Sequence, residues 1–375
     1  MLLERLSRLI RERRLPDVMF WWANRDLLWR EVHPPRSGSW HVLCADPVIV
    51  YVMEFGREVE SLARRLRTRP TWLLVSNPWI PRSLTEAHAL ARRTAELGAR
   101  YPRLSIVYLC NDADEAAALG AAGLQSRFCH QNALLDENLF RPTPGVPKTA
   151  DAIYLAQLVA YKRHYLARDI QSLIVKTYLS GATRDRAYIQ QALRDLWHAR
   201  WVYRCSDEDV CELINSCRVG LCLSAAEGGM YASMEYMLCG LPVVTTPSVG
   251  GREVFWHGDH VLTVDPDPAS VRLGVEAMIR RNLDPERIRT ATLARLRPHR
   301  ETFVDTVNSI LVGAGRAPTY QWGDRFIHKM SKERPFRLVS GECLAASTVR
   351  REARGEGPED CGPSSARKSS SAPRT

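Results

Sequence analysis

From Asp17 onward, short apolar runs alternate with stretches in which apolar positions recur every three or four residues. Runs at 18–23, 42–45, 48–53, 72–75 and 106–110 are strand-sized, whereas 58–67 and 84–101 carry the helical period. Strands interleaved with helices in this way predict an α/β layer arrangement. The stretch 136–148 then holds three prolines and a glycine, which interrupts both periods and predicts a linker. A second alternation starts at Ala152, with strands expected at 152–157, 201–204, 219–223, 242–245 and 261–264. Helices are expected between and after them near 165–178, 207–217, 230–239, 268–281 and 300–312. Short buried strands separated by helices predict a parallel sheet covered on both faces.

At 375 residues the chain is long enough for about two domains. The expected division is an N-terminal Rossmann-like half at 1–135, a linker at 136–149 and a C-terminal half at 150–312. An extension at 313–339 that packs back on the first half and a tail at 340–375 complete it. The tail is rich in Ser, Gly, Pro, Arg and Glu, a composition that buries little apolar surface. No apolar run approaches the roughly 20 residues that span a bilayer. The N-terminus lacks the h-region and cleavage site of a secretory signal. None of the ten cysteines forms a C-x-x-C pair, so reduced cysteines and a cytoplasmic protein are expected.

A net charge of +10 adds a field that favours phosphorylated sugars, nucleic acid or an anionic membrane face. Nucleic acid is the least supported of these, since zinc-finger spacing, an RNP-like aromatic motif and a helix-turn-helix pattern are all missing from the sequence. Residues 1–14 place leucines on one helical face and arginines mostly elsewhere. That helix is suited either to packing on the sheet or to peripheral contact with the inner face of a membrane.

The densest chemistry lies at 219–251, VGLCLSAAEGGMYASMEYMLCGLPVVTTPSVGG. A buried strand ends near Ser224, a loop of small residues carries Glu227, Gly228 and Gly229, and a helix starting near Met230 carries Glu235 before Gly240 closes it. Parallel α/β sheets bind ligands at the carboxyl ends of their strands, where helix N-termini offer N–H groups. Gly228 and Gly229 allow backbone to approach an anionic or polyhydroxyl ligand. Glutamates eight positions apart reach points about 12 Å apart along a helix, and each carboxylate accepts paired hydroxyls of a sugar or ribose.

This segment resembles the retaining family-4 glycosyltransferases of the GT-B fold, through the E-x7-E spacing of Glu227 and Glu235, the following G-L-P-V-V at 240–244, and Gly250-Gly251. The resemblance implies two facing Rossmann-like domains with parallel sheets, a nucleotide-sugar donor held by the second, and transfer with retention of configuration. It implies that Glu227 contacts the donor sugar and Glu235 the ribose, while amides around Gly229, Met230 and Tyr231 support sugar and diphosphate. Upstream, YLAQLVAYKRHYLAR at 154–168 is similar to the family's diphosphate-binding segment. Ala156-Gln157 stands where Gly-Arg is common, so neutralisation falls on Lys162 and Arg163, with Gln157 a neutral hydrogen-bond donor. The segment 128–142 looks like the family's exit from the first domain. Ser206 caps a helix beside the strand at which relatives hold the base through backbone groups.

Three D-x-D matches, at 112–114, 207–209 and 265–267, read as helix caps and a proline turn, so no metal ligand and no cofactor are assigned. Neither G-x-G-x-x-G after a first strand nor a P-loop occurs. Trp22, Asn24 and Arg25, beside other aromatics, are the acceptor-side candidates, since aromatics stack on sugar faces as readily as they fill cores. The expected function is sugar transfer to an unidentified acceptor, with Glu227 and Lys162 as the catalytic pair. The alternatives are an epimerase or hydrolase of nucleotide sugars on the same fold, or a non-catalytic partner of that fold.

Overall fold

The computed structural model describes residues 40–77, 83–178, 185–203 and 205–323. The strand expected at 18–23, the amphipathic N-terminal stretch, Trp22, Asn24, Arg25 and the tail from 340 lie outside these residues.

The first sheet begins with an antiparallel pair, β1 (Trp40–Ala45) and β2 (Val48–Met53). It continues in parallel through β3 (Thr71–Ser76), β4 (Leu104–Cys110) and the short β5 (Ser126–Phe128). The crossovers are α1 (Arg57–Arg65), α2 (Leu84–Arg100) and α3 (Ala113–Ala121). Ser83 and Asp112 start α2 and α3 by accepting the backbone N–H groups of Glu86 and Asp114, as small polar residues do at helix N-caps. The alternation of β2 explains its unbroken apolar sequence. Val48, Val50 and Val52 pack under the crossover helices with Leu62, Ala87 and Leu119, while Ile49 and Tyr51 face a second layer with Phe303 and Val307.

The second sheet is parallel throughout, in the order β11-β10-β9-β6-β7-β8. Its strands are β6 (Ala150–Leu155), β7 (Leu173–Thr177), β8 (Arg200–Tyr203), β9 (Cys217–Cys222), β10 (Val243–Thr245) and β11 (Val261–Thr263). The helices among them are α4 (Arg186–Asp195), α5 (Asp207–Asn215), α6 (Tyr231–Leu238) and α7 (Pro268–Arg281). The helix expected near 165–178 is not there. Residues 164–167 make one 3-10 turn, and Leu173–Thr177 is a strand buried between β6 and β8. The β-branched Ile174 and Val175 beside Leu173 suit a pleated buried surface better than a helix.

The helix expected at 300–312 is the second half of a 29-residue helix, α8 (Pro285–Gly313). Pro298 suggests a stop in sequence, because it lacks an N–H and crowds the preceding turn. Packing on both sides of it outweighs that cost. Ile288 and Leu296 lie in the core of the second sheet, whereas Phe303, Val307 and Leu311 lie in that of the first. Past the helix, Tyr320 bonds Asn308 through N–H to Oδ1 at 3.0 Å and packs beside Phe303. Among the described residues, no helix is long and apolar enough to cross a membrane.

Because Phe303 of α8 is fully buried and packs edge-on against Tyr51 of β2, Phe303→Ala should lower unfolding free energy by about 3–5 kcal/mol in urea melts. A loss under about 1 kcal/mol would mean that α8 does not close the first sheet's second face.

Candidate functional site

A cavity of about 410 Å³ opens at the carboxyl ends of β6 and β7 and at the start of α6. Gln157, Lys162, Glu227, Gly229, Met230, Tyr231 and Glu235 all line it, so the two segments singled out in sequence meet in space. Gly228, Arg163 and Ser206 are not part of its lining.

Each side chain is positioned by its neighbours. Tyr154, from β6, donates its hydroxyl to the Lys162 carbonyl, and the Ala225 N–H bonds the Tyr161 carbonyl at 2.9 Å. These contacts fix the 3-10 turn Ala160–Lys162 against the loop after β9. The Lys162 ammonium donates to Glu227 Oε1, and Ser224 Oγ donates to Glu227 Oε2 at 2.5 Å. Both members of the ion pair are largely buried, their side chains 7% and 14% exposed. In such surroundings each charge depends on the other, because removing one leaves an uncompensated charge out of water.

Glu235 sits one turn into α6 and is 2% exposed. Seven of the eight residues of α6 are buried, which its largely apolar sequence explains. Tyr236 holds the helix down, its ring filling the space above Gly220 of β9, where a Cβ would lie 2.3 Å from the ring. Its hydroxyl accepts the Leu155 N–H at 2.7 Å.

The arginine beside Lys162 does something else. Arg163 adopts a left-handed backbone (φ 52°) and sends its guanidinium to the Leu223 carbonyl and Thr246 Oγ1, both at 2.7 Å. It ties strand ends together instead of facing the cavity. Ser206 is occupied in a capping box with Asp209 at the start of α5. Asp112 and Asp267 are likewise N-caps, of α3 and α7.

Arg252, which sequence reasoning passed over, has no exposed surface. Its guanidinium donates to the Ser224 carbonyl at 2.9 Å, to Ser224 Oγ at 2.8 Å, to Thr245 Oγ1 at 2.9 Å and to the Thr246 carbonyl. The only cue in sequence is its place directly after Gly250-Gly251. Also missed are Lys176 and Tyr178, which line the cavity, as does Asp207, set aside in sequence with its D-x-D match as a helix cap; Lys176 belongs to the strand that the pattern presents as helix.

Three consecutive residues of the N-terminal half reach across to the glycine loops. His130 Nε2 meets the Gly251 carbonyl at 3.0 Å, Gln131 Nε2 donates to the Gly229 carbonyl at 3.0 Å, and Asn132 Nδ2 donates to the Met230 carbonyl at 2.9 Å. Burial depresses the His130 pKa to about 3, so its ring is neutral. Its Nδ1 accepts the Asn132 N–H at 3.1 Å, which leaves the proton on Nε2 to donate to Gly251.

This contact revises the reason for the glycines. A Cβ on Gly229 would lie 2.1 Å from Gln131 Nε2, and one on Gly251 would lie 2.1 Å from the Asn111 carbonyl oxygen. Gly250, at φ 126°, faces the Glu227 carbonyl at 2.1 Å in the same sense. At 229 and 251 the small residues admit the other half of the protein, although Gly229 also borders the cavity.

Structural comparison places this arrangement in the GT-B fold, two Rossmann-like halves with parallel sheets. HepE of Anabaena in complex with UDP superposes with a TM-score of 0.52 at 16% identity, over 69% of this chain and 78% of that one. The N-terminal domain of Candida albicans trehalose-6-phosphate phosphatase gives 0.51 at 12% identity, over 70% of each. In sequence, residues 151–281 match the family described as Glycosyl transferases group 1. A stretch of 114 residues is 30% identical to the O-antigen biosynthesis protein RfbC of Myxococcus xanthus; it spans 30% of this chain and 9% of that protein's length.

Two predictions follow from the contact between the halves. Gly229→Ala should displace the Gln131 amide and cost about one hydrogen bond, ~1 kcal/mol, while the same change in a Gln131→Ala background should cost close to nothing. Equal costs in the two backgrounds, measured in urea melts, would sink the packing role given to Gly229.

The second concerns Glu115, buried on α3 and accepting the Asn111 N–H at 2.8 Å. Burial raises its pKa from 4.5 to about 7. The folded protein thus holds this proton more tightly than the unfolded chain. The stability it contributes is complete below about pH 4.5 and is lost as pH rises through about 7. Glu115→Gln should remove a decline of about 3 kcal/mol across that window. Parallel stability–pH curves for the two proteins would refute it.

Proposed function

We propose that this chain is a glycosyltransferase that moves a sugar, a hexose in the first instance, from a nucleotide-sugar donor to an acceptor with retention of anomeric configuration. The observation that carries the reading is the convergence of the Lys162–Glu227 pair and Glu235 on one cavity at the carboxyl edge of a parallel sheet. That cavity lies within the segment matched to Glycosyl transferases group 1. Both carboxylate oxygens of Glu227 are fixed, one by Lys162 and one by Ser224, and each keeps a lone pair for a sugar hydroxyl. Glu235 accepts the ribose hydroxyls. Tyr231 and the backbone at Gly229 and Met230 border the sugar and diphosphate.

In the reaction, the bond between the anomeric carbon and the diphosphate oxygen breaks, and its electron pair leaves with the diphosphate. The acceptor oxygen forms the new bond on the same face, and its proton passes to the departing phosphate oxygen. Charge developing on that oxygen is what the site must stabilise, a task for Lys162 fixed in place beforehand. The D-x-D aspartates at 112 and 267 are spent as helix caps, and Asp209 in the capping box of Ser206. Transfer without an obligatory divalent metal is part of the proposal. The acceptor is assigned to the N-terminal half, and a cytoplasmic setting, with the basic N-terminus at a membrane face, belongs to the same reading.

Calorimetric titration with UDP, ADP, GDP and CDP, starting from the nucleotide bound by HepE, tests the site. Glu235→Ala should raise the dissociation constant of the preferred nucleotide about 10- to 200-fold, the loss of hydrogen bonds to a charged group. Glu227→Ala should instead reduce turnover with the full sugar donor while changing nucleotide affinity much less than Glu235→Ala does. Wild-type affinity in Glu235→Ala would remove the ribose assignment.

A further inference from the structure

Among the described residues that line the cavity, acidic groups outnumber basic ones. Three carboxylates line it, Asp207, Glu227 and Glu235, against two ammonium groups, Lys162 and Lys176. Lys162 is already committed to Glu227. Gln157, also in the lining, is neutral. A diphosphate entering such a site needs a cation not held by a carboxylate, since desolvating phosphate charge beside three acids is otherwise strongly unfavourable.

Lys176 meets that requirement. It stands near the end of β7, in register with Leu155 of β6, and its carbonyl accepts the Ala156 N–H at 3.1 Å. Its backbone is therefore pinned beside the Ala156-Gln157 step from which the cavity opens. Its ammonium lies 5.2 Å from the centroid of the Tyr178 ring, and among the described residues it joins no ion pair. An aromatic face holds a cation in place without neutralising it. Lys176 is thus positioned and still charged, whereas the charge of Lys162 is shared with Glu227.

We propose that Lys176 is the main cation binding the diphosphate in this cavity, with Lys162, held by Glu227, left to meet the charge that develops on the leaving oxygen. The proposal rests on the nucleotide-sugar reading of the same site. It also gives Tyr178 a role, as the platform that keeps the ammonium at the cavity edge.

The test uses the full chain and whichever of UDP, ADP, GDP and CDP the wild type binds most tightly, together with the matching nucleoside. Lys176→Met keeps the aliphatic stem and removes the charge. It should weaken diphosphate binding about 10-fold or more, the worth of a charge-assisted contact, and leave nucleoside affinity within about 2-fold. Lys176→Arg should restore most of the loss, and the salt dependence of diphosphate binding should flatten in the methionine variant. Unchanged diphosphate affinity in Lys176→Met would overturn the proposal while leaving the donor-site reading in place. Equal weakening of nucleoside and diphosphate would also overturn it, by showing a general structural effect. Failure of the wild type to bind any of the four nucleotides would instead overturn the reading on which it rests.

Discussion

A guanidinium without solvent contact needs acceptors in its surroundings, and the site is organised around the four that the terminal nitrogens of Arg252 find. Its acceptors are the backbone and hydroxyl of Ser224 at the end of β9 and the Thr245–Thr246 step at the end of β10. Two adjacent strands are thereby held together at the edge where a ligand would arrive. The hydroxyl of Ser224 accepts from Arg252 and donates onward to Glu227, which is also held by Lys162. Lys162 is fixed through its carbonyl by Tyr154 of β6. A buried charge and its acceptors thus form one connected network over three strands, in which each hydrogen bond polarises the next.

The same economy governs the long helix α8. Its first half completes the core of the second sheet and its second half that of the first. Arg289 and Arg300 use it as a rail to bind the irregular segment between the sheets. Arg289 donates to the carbonyls of Glu137 and Phe140, both at 2.7 Å, and Arg300 to those of Ala133 at 2.9 Å and Leu135 at 3.0 Å. Segment 136–149 has no ladder of its own, so its backbone acceptors need side-chain donors, and α8 supplies them.

Periodicity exposed most of the strands, because β2, β3, β4, β6 and β9 are buried on both faces and read as continuous apolar runs. It failed at β7, where three apolar residues followed by Lys176 and Thr177 have no period to distinguish strand from helix. That failure also hid Lys176. The glutamate pair was legible because its surroundings, a strand end, small residues and a helix start, have a local signature. Arg252 was not legible. Arginine is among the residues least often buried, and only the fold brings four acceptors around it. Nor does local sequence say which neighbour a glycine accommodates.

That last ambiguity has a mechanical consequence. If the glycines at 229 and 251 served only a ligand, the loop bearing Glu227 would be shaped within the second sheet alone. Their missing side chains instead leave room for Gln131 and Asn111, and their carbonyls take hydrogen bonds from Gln131 and His130. Asn111 in turn donates through Nδ2 to the Asn77 carbonyl at the end of β3 and accepts the Gln131 N–H at 2.8 Å, so the contact is continuous with the first sheet. Any displacement of one half against the other must break these bonds or carry the loop along. The position of the loop bearing Glu227 is therefore set jointly by the two halves.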